Sequence, residues 1–113
     1  MRGPVALSRK LTLEEVVRQS DNAGGFVESW VTVGQLWAEM RAGTGRERSS
    51  GTVSLASLPL RVVVRAAPVG SAARPKPGQR FVEGSRIYRI EAVAEADRPG
   101  HYLQCFAREE VAT

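Results

Sequence analysis

Residues 10–33 read KLTLEEVVRQSDNAGGFVESWVTV, with two strand-like runs on either side of a turn-forming cluster. Leu11 and Leu13 alternate with polar residues, which is typical of a half-buried strand. The cluster at 20–25 supplies an asparagine and two glycines, which tolerate the positive φ that a hairpin turn requires. Residues 26–33 are rich in β-branched and aromatic side chains, which favour strands. The stretch therefore predicts a β-hairpin.

The rest of the chain predicts further strands. Residues 35–41 alternate apolar and polar side chains and can continue the sheet as a third strand after a kink at Gly34, with a short helix as the alternative. A long strand is predicted over 52–67, with Pro59 at its start or on an edge because proline cannot donate to a ladder. The remaining predicted strands are 79–83, 86–93 and 101–108. These elements predict an all-β fold, either a sandwich or, as we expect, a small antiparallel β-barrel of six or seven strands with long polar loops, since closure removes exposed edges.

The alternation within 86–93 assigns its side chains to two faces. Ile87, Arg89, Glu91 and Val93 are predicted on one face, and Tyr88, Ile90 and Ala92 on the other.

The chain length of 113 residues fits a single domain, residues 1–113. We expect a tail at 1–8 ahead of the first strand. Two long loops are predicted, one at 43–52, where residues 43–51 hold no apolar side chain, and one at 66–78, which is rich in proline and glycine. Such loops lie at the surface, where contacts with other molecules are made.

The composition is that of an ordinary globular protein, with 42% hydrophobic and 25% charged residues. No apolar run approaches the roughly 20 residues that a membrane-spanning helix needs, and the first residues lack the apolar stretch of a signal peptide. We therefore expect a cytoplasmic protein with no membrane partner. The net charge of +4 permits contact with nucleic acid, but the arginines are scattered and form no basic block.

Residues suited to catalysis or metal binding are scarce. The sequence has one histidine, His101, and one cysteine, Cys105, and these two residues do not have the spacing of metal ligands. Asp21 and Asp97 fall in predicted turns, where aspartate is common for conformational reasons. No phosphate-binding loop pattern is present. We interpret Cys105 as a small buried hydrophobe, because a nucleophilic thiol needs an organised base nearby. We expect no enzymatic activity, no catalytic residue, no metal and no cofactor.

Several segments carry a resemblance in their order along the chain. They are KLTLE (10–14), DNAGGFVESW (21–30), LWAEM (36–40), GRE (45–47), LRVVVR (60–65), GQRF (78–81), RIYRI (86–90) and YLQC (102–105). Together they resemble the head–tail joining proteins (head-closure or stopper proteins) of tailed bacteriophages and gene transfer agents. The resemblance covers roughly residues 9–106, and its most telling part is the turn followed by Trp30 and then by Trp37-Ala38.

This resemblance implies a non-enzymatic β-barrel subunit. It implies a six- or twelve-fold ring beneath the portal and adaptor proteins, which closes the DNA-filled head and docks the tail terminator or tail tube proteins. The protein would lie in the cytoplasm of the bacterial host during assembly and then in the neck of a virion or phage-like particle. Positive loops that face the channel would contact packaged DNA without reading its sequence.

Two groups of residues are candidate contact sites. The first group, Arg46, Glu47 and Arg48, lies in the 43–52 loop, which we expect to face the lumen or a neighbouring ring and to order on assembly. The 66–78 loop is the less favoured candidate for that role. The second group contains aromatic residues, which serve as core or interface anchors in small β-domains. These candidate interface or core anchors are Trp30, Trp37 and Tyr88.

Two other functions stay open. A small barrel that binds single-stranded nucleic acid would interleave basic and aromatic residues on one face. Tyr88 and Arg89 point to opposite faces of their predicted strand, which disfavours that function. A tail terminator or completion protein of the same neck would share much of this composition.

Overall fold

The computed structural model describes residues 5–42 and 57–110. Its strands are β1 (Arg9–Ser20), β2 (Phe26–Ala42), β3 (Ser57–Arg65), β4 (Arg80–Glu83), β5 (Arg86–Glu95) and β6 (Tyr102–Glu110). Antiparallel pairing closes them into a barrel in the order β1-β2-β3-β6-β5-β4. All regular elements within the two described ranges are strands, which confirms the predicted all-β barrel; the six strands found there agree with the predicted six or seven.

The predicted hairpin is confirmed as the pair β1 and β2. The Asp21 carboxylate accepts hydrogen bonds from the backbone N–H groups of Ala23 (2.8 Å) and Gly25 (2.9 Å). Asn22 and Gly24 have positive φ angles of 63° and 87°. The backbone donors, Ala23 first, hold the pKa of Asp21 below its usual value. The polar cluster therefore closes the turn through its own backbone and side chains.

The prediction of a separate strand over 35–41 is wrong, because β2 runs without interruption from Phe26 to Ala42. The register shifts within it, since Leu13 pairs with Gly34 whereas Glu14 pairs with Thr32. Val33 is the extra residue of a β-bulge. The bulge occurs next to Gly34, where a kink was predicted, and the strand continues through it.

A second bulge corrects the predicted faces of β5. Ile90 pairs with Ala107 and Ala92 with Phe106, so Glu91 is the extra residue. Tyr88 and Ile90 face the core as expected, but Ala92 is exposed and Val93 packs against the core. Strict alternation fails here because a bulge shifts the side-chain period by one residue.

The core fills the barrel interior with apolar side chains from all six strands. The buried members are Leu11, Leu13, Ala38, Val62, Val64, Phe81, Tyr88, Ile90, Leu103, Cys105 and Ala107.

Pro59 lies at an edge position of β3, as predicted. It pairs with Arg108 of β6, whereas the pairing of β3 with β2 begins at Leu60 and Ala42. The missing N–H of the proline therefore breaks no bond to β2 in the described part of the chain.

The 66–78 loop packs against the barrel of its own chain. Pro75 is fully buried, and the Arg74 guanidinium donates to the Ala67 carbonyl at 2.9 Å. At the end of the loop the buried Gln79 accepts from the Lys76 N–H at 2.9 Å. The loop is held by these internal contacts, so it needs no neighbouring subunit in order to fold.

Candidate interaction surfaces

One mouth of the barrel is closed by charged side chains at core-facing strand positions. The Arg9 guanidinium donates two hydrogen bonds to the Glu83 carboxylate, one of them from Nε at 2.9 Å. The Tyr88 hydroxyl donates to the same carboxylate at 2.8 Å. Beside them, Arg86 donates to Glu109 through Nε at 2.7 Å and Nη2 at 2.9 Å. These groups satisfy one another, so the mouth is a structural closure and not an open binding site.

The contacts at the mouth lower the pKa of both glutamates and raise the pKa of the tyrosine. Hydrogen bonds from Arg9 lower the pKa of Glu83, and those from Arg86 lower the pKa of Glu109. Burial, together with the bond to Glu83, raises the pKa of Tyr88 to about 12. All four charged groups are therefore ionised at neutral pH, and the Tyr88 hydroxyl keeps its proton.

The hairpin extends beyond the barrel as a two-stranded arm, defined as residues 15–31. Pairing of β1 with β4 ends at Glu14, and in the described residues β2 pairs with β3 only over 38–42. Within the arm, Phe26 is 66% exposed, Val27 is 55% exposed and Val31 is 43% exposed. Large apolar side chains on a thin ribbon are characteristic of a surface that another molecule covers.

Trp30 anchors the base of the arm to the barrel. Its ring lies under the guanidinium groups of Arg80 and Arg89, with centroid distances of 4.0 and 5.6 Å. Arg80 also donates to Glu14 at 2.8 Å, which ties the tryptophan to a cation–π and ion-pair cluster. The arm is thus fixed where it leaves the barrel.

The outer side of β4, β5 and β6 carries three arginines directly opposite one another. Arg80 pairs in register with Arg89, and Arg89 with Arg108. Each arginine forms an ion pair with a glutamate; the partners of Arg80, Arg89 and Arg108 are Glu14 (2.8 Å), Glu110 (3.0 Å) and Glu91 (3.1 Å). This side of the barrel is therefore close to neutral.

A different surface, the basic face, lies on the outer side of β2, β3 and β6. Its charged and aromatic residues are Trp37, Glu39, Arg41, Arg61, Arg65, Tyr102 and Phe106; the strand register places them on one face together with the buried Val63 and the half-buried Gln104. Trp37 is 54% exposed and Phe106 is 38% exposed. Among the described residues, this face holds three arginines and one glutamate, and Glu39 bonds there to Arg41 at 2.8 Å. The Arg65 guanidinium lies 5.8 Å from the Tyr102 ring centroid.

The structure separates the three predicted aromatic anchors. Tyr88 is fully buried in the core, Trp30 is half-buried at the base of the arm, and Trp37 is exposed on the basic face. Arg46, Glu47 and Arg48 lie outside the described residues, as does the whole of the 43–52 loop.

Sequence reasoning did not identify the exposed apolar residues of the arm. The signal for them is the consecutive pair Phe26-Val27, whose side chains occupy both faces of one strand. A half-buried strand places apolar residues on one face only.

The described residues hold no group of three or more His, Cys, Asp or Glu side chains that could bind a metal ion. Cys105 is buried, and burial raises the pKa of its thiol to about 12. His101 is exposed, with its Nδ1 3.7 Å from the Asp97 carboxylate. No helix in the described part of the chain is long and apolar enough to cross a membrane.

Comparison with known proteins gives consistent matches over nearly the whole chain. The profile of the phage head completion protein family matches residues 3–110. A chain in the virion of a native gene transfer agent particle is 54% identical, with a TM-score of 0.77, and the match covers 99% of this chain and 100% of that one. The solution structure of a protein from Shigella flexneri 2a shares the fold at 18% identity and a TM-score of 0.65, covering 95% and 96% of the two chains. No curated protein matches.

The described residues form a closed barrel with a filled core, and they expose apolar and aromatic side chains on the arm and on the basic face. The chain belongs to the family of phage head completion proteins, and its role is a structural one at the head–tail junction. The resemblance to head–tail joining proteins is thereby confirmed.

Proposed function

We propose that this chain is a head–tail connector subunit of the head-closure type, which assembles into a ring, closes the DNA-filled head and docks the tail. The observation that carries the proposal is the arm, where Phe26, Val27 and Val31 are exposed on a ribbon with no sheet behind it. The barrel itself has a filled core and a closed mouth, so the arm is better explained by assembly than by folding. Membership of the family supports this proposal.

In the proposed assembly the ring is six- or twelve-fold. Portal and adaptor proteins lie above it, and tail terminator or tail tube proteins lie below. A ring needs two different surfaces on each subunit, because each copy contacts its neighbours head to tail around the axis. Assembly takes place in the cytoplasm of the bacterial host, and the ring then resides in the neck of the particle.

Removing the chain from a particle-producing cell tests this function. Without it, heads should package DNA but lack tails and lose DNA after lysis, and supplying the wild-type chain should restore tailed particles. Electron microscopy and nuclease protection of the packaged DNA measure both effects. Tailed, DNA-filled particles formed without the chain would overturn the proposal.

Sizing the purified chain with portal–adaptor complex separates this function from its two alternatives. Binding of the chain to that complex supports head closure. Binding to isolated tails instead indicates a terminator. Tight, salt-sensitive binding to oligonucleotides without assembly indicates a nucleic-acid-binding barrel.

The 43–52 loop gives a separate prediction within the same function. We propose that Arg46, Glu47 and Arg48 face the channel or a neighbouring ring, where the arginines contact packaged DNA non-specifically. Deleting residues 45–50 should then impair head closure or tail attachment. Normal closure and attachment by the deletion variant would refute this role for the loop.

A further inference from the structure

We infer that the arm of one copy docks on the basic face of the next copy, and that this contact builds the ring. The inference rests on the proposed function and deepens it by naming the two surfaces that meet.

The arm has the properties of an inserted element. Its tip carries exposed apolar side chains on both sides of the ribbon, led by Phe26 and Val27. Its charged residues are three acidic groups, Glu15, Asp21 and Glu28, against the single Arg18. Glu15 accepts a hydrogen bond from Gln79 at 3.0 Å and Asp21 accepts from the turn backbone, which leaves Glu28 as the acidic side chain closest in sequence to Phe26 and Val27. The ion pair of Arg18 with Glu28 is long, at 3.6 Å, and both side chains are more than half exposed. Glu28 is therefore available to a second cationic partner.

The basic face has the complementary properties. It presents the exposed rings of Trp37 and Phe106 among three arginines, and only one of its residues is acidic. Arginine beside exposed aromatic rings is the composition enriched at the centre of protein interfaces. An acidic, apolar-tipped arm matches this surface in both charge and hydrophobicity, and the charge match also orients the encounter.

A second copy fits better than the other candidate partners. The basic face alone, with aromatic and basic residues interleaved, would also suit single-stranded nucleic acid. The acidic arm, however, repels phosphate, so nucleic acid would leave Phe26 and Val27 uncovered. Because arm and basic face occur on one chain and are different surfaces, their union is head to tail and continues from copy to copy until a ring closes.

Site-directed crosslinking tests the contact directly. Phe26→Cys and Phe106→Cys chains, mixed with a bismaleimide, should give a crosslinked dimer, and either variant alone should not. Cys105 adds little background, since its thiol is buried and its raised pKa keeps it protonated.

Val69→Cys in place of Phe106→Cys provides the matched control. Val69 is 85% exposed but lies on the 66–78 loop, outside the basic face. It should crosslink to the Phe26→Cys chain at background level. Equal yields from both pairs would overturn the inference, because collision and not docking would then explain the product.

Charge reversal provides a second test, with rescue. In the proposed contact we pair Glu28 with Arg65, the exposed arginine of the basic face. Glu28→Arg and Arg65→Glu should then each lower the crosslinking yield roughly tenfold, because like charges face each other across the contact. A chain carrying both reversals should recover most of the yield, since the pair is restored with opposite polarity. Failure of the double variant to recover, with both single variants folded, would overturn the assignment.

The results distinguish this inference from the proposed function. If tailed particles form normally but Phe26→Cys crosslinks only to another neck protein, the inference fails and the connector role stands. If Arg65→Glu lowers oligonucleotide binding and leaves crosslinking unchanged, the basic face belongs to nucleic acid and the inference fails. If particles form tails without the chain, both fail.

Discussion

The barrel and the arm use the same kind of strand in opposite ways. In the barrel every strand has two neighbours, and core residues such as Phe81 and Tyr88 have no exposed surface. In the arm the two strands pair only with each other in the part of the chain that the structure describes, and Phe26 is 66% exposed. Apolar burial therefore stabilises the barrel within one chain, whereas the arm keeps its apolar surface for contact with another molecule.

Charges show the same difference between the two regions. At the barrel mouth, Arg86 contacts Glu109 at 2.7 Å, and the glutamate side chain is 13% exposed. In the arm, Arg18 lies 3.6 Å from Glu28, with side-chain exposures of 64% and 57%. Exposed ion pairs of the second kind contribute little to stability.

The largest effect is expected for a truncation in the barrel. Phe81→Ala should lower the free energy of unfolding by about 3–5 kcal/mol, because it removes a fully buried ring and leaves a cavity. Urea denaturation followed by tryptophan fluorescence measures it. If Phe81→Ala does not fold, Ile90→Val can be measured instead, and it should lower the free energy of unfolding by about 0.5–1.5 kcal/mol. The same loss from Val31→Ala in the arm would contradict the contrast.

An intermediate effect is expected at the barrel mouth. Glu83→Gln should lower the free energy of unfolding by about 1–2 kcal/mol at neutral pH, since it removes the charge that Arg9 contacts in a partly exposed site. Glu28→Gln in the arm is the matched control and should have little effect. Equal losses from the two variants would show that the mouth is no better organised than the arm.

The mouth also predicts how stability depends on pH. The folded chain holds the pKa of Glu83 below its ordinary value of 4.5, and the same holds for Glu109. Stabilisation by these groups is therefore complete above that ordinary value and is lost as pH falls through the lower folded pKa values. Wild type should lose stability below about pH 4.5, and Glu83→Gln should lose less. Parallel curves for the two proteins would contradict this assignment.

Much of the barrel was predictable because its signals are local. The alternation at Leu11 and Leu13, the turn at 20–25 and the β-rich run at 60–65 each act within about ten residues. Pro59 pairs with β6 and, among the described residues, not with β2, as expected from its missing N–H.

The unpredicted features depend on contacts between distant parts of the chain. Arg9 and Glu83 are 74 positions apart and meet only because β1 and β4 close the barrel. The bulges at Val33 and Glu91 depend on the register with the partner strands, and the local sequence alone does not specify that register. Likewise, the length of the arm depends on where the pairing of β1 with β4 ends. The residues adjacent to Phe26 in sequence do not show this, so its exposure could not be predicted from them.

A smaller effect is expected where the arm joins the barrel. Trp30→Leu keeps an apolar side chain but removes the ring that Arg80 covers at 4.0 Å, so it should cost about 0.5–1 kcal/mol. Hydrogen exchange should accelerate at amides of the arm and stay unchanged at Val62 and Val64 of the core. Uniform acceleration over the whole chain would mean that the arm and barrel unfold as one unit.

The smallest effect on folding is expected at the tip of the arm, where the effect on assembly should be large. Phe26→Ser should change the free energy of unfolding by less than about 0.5 kcal/mol, because the ring is already exposed. Tailed particles should nevertheless become scarce, since the apolar anchor of the proposed contact is lost. Urea denaturation and particle counts together measure the separation. A variant that loses stability and particles in proportion would show that the arm belongs to the folding core, whereas loss of particles alone assigns it to assembly.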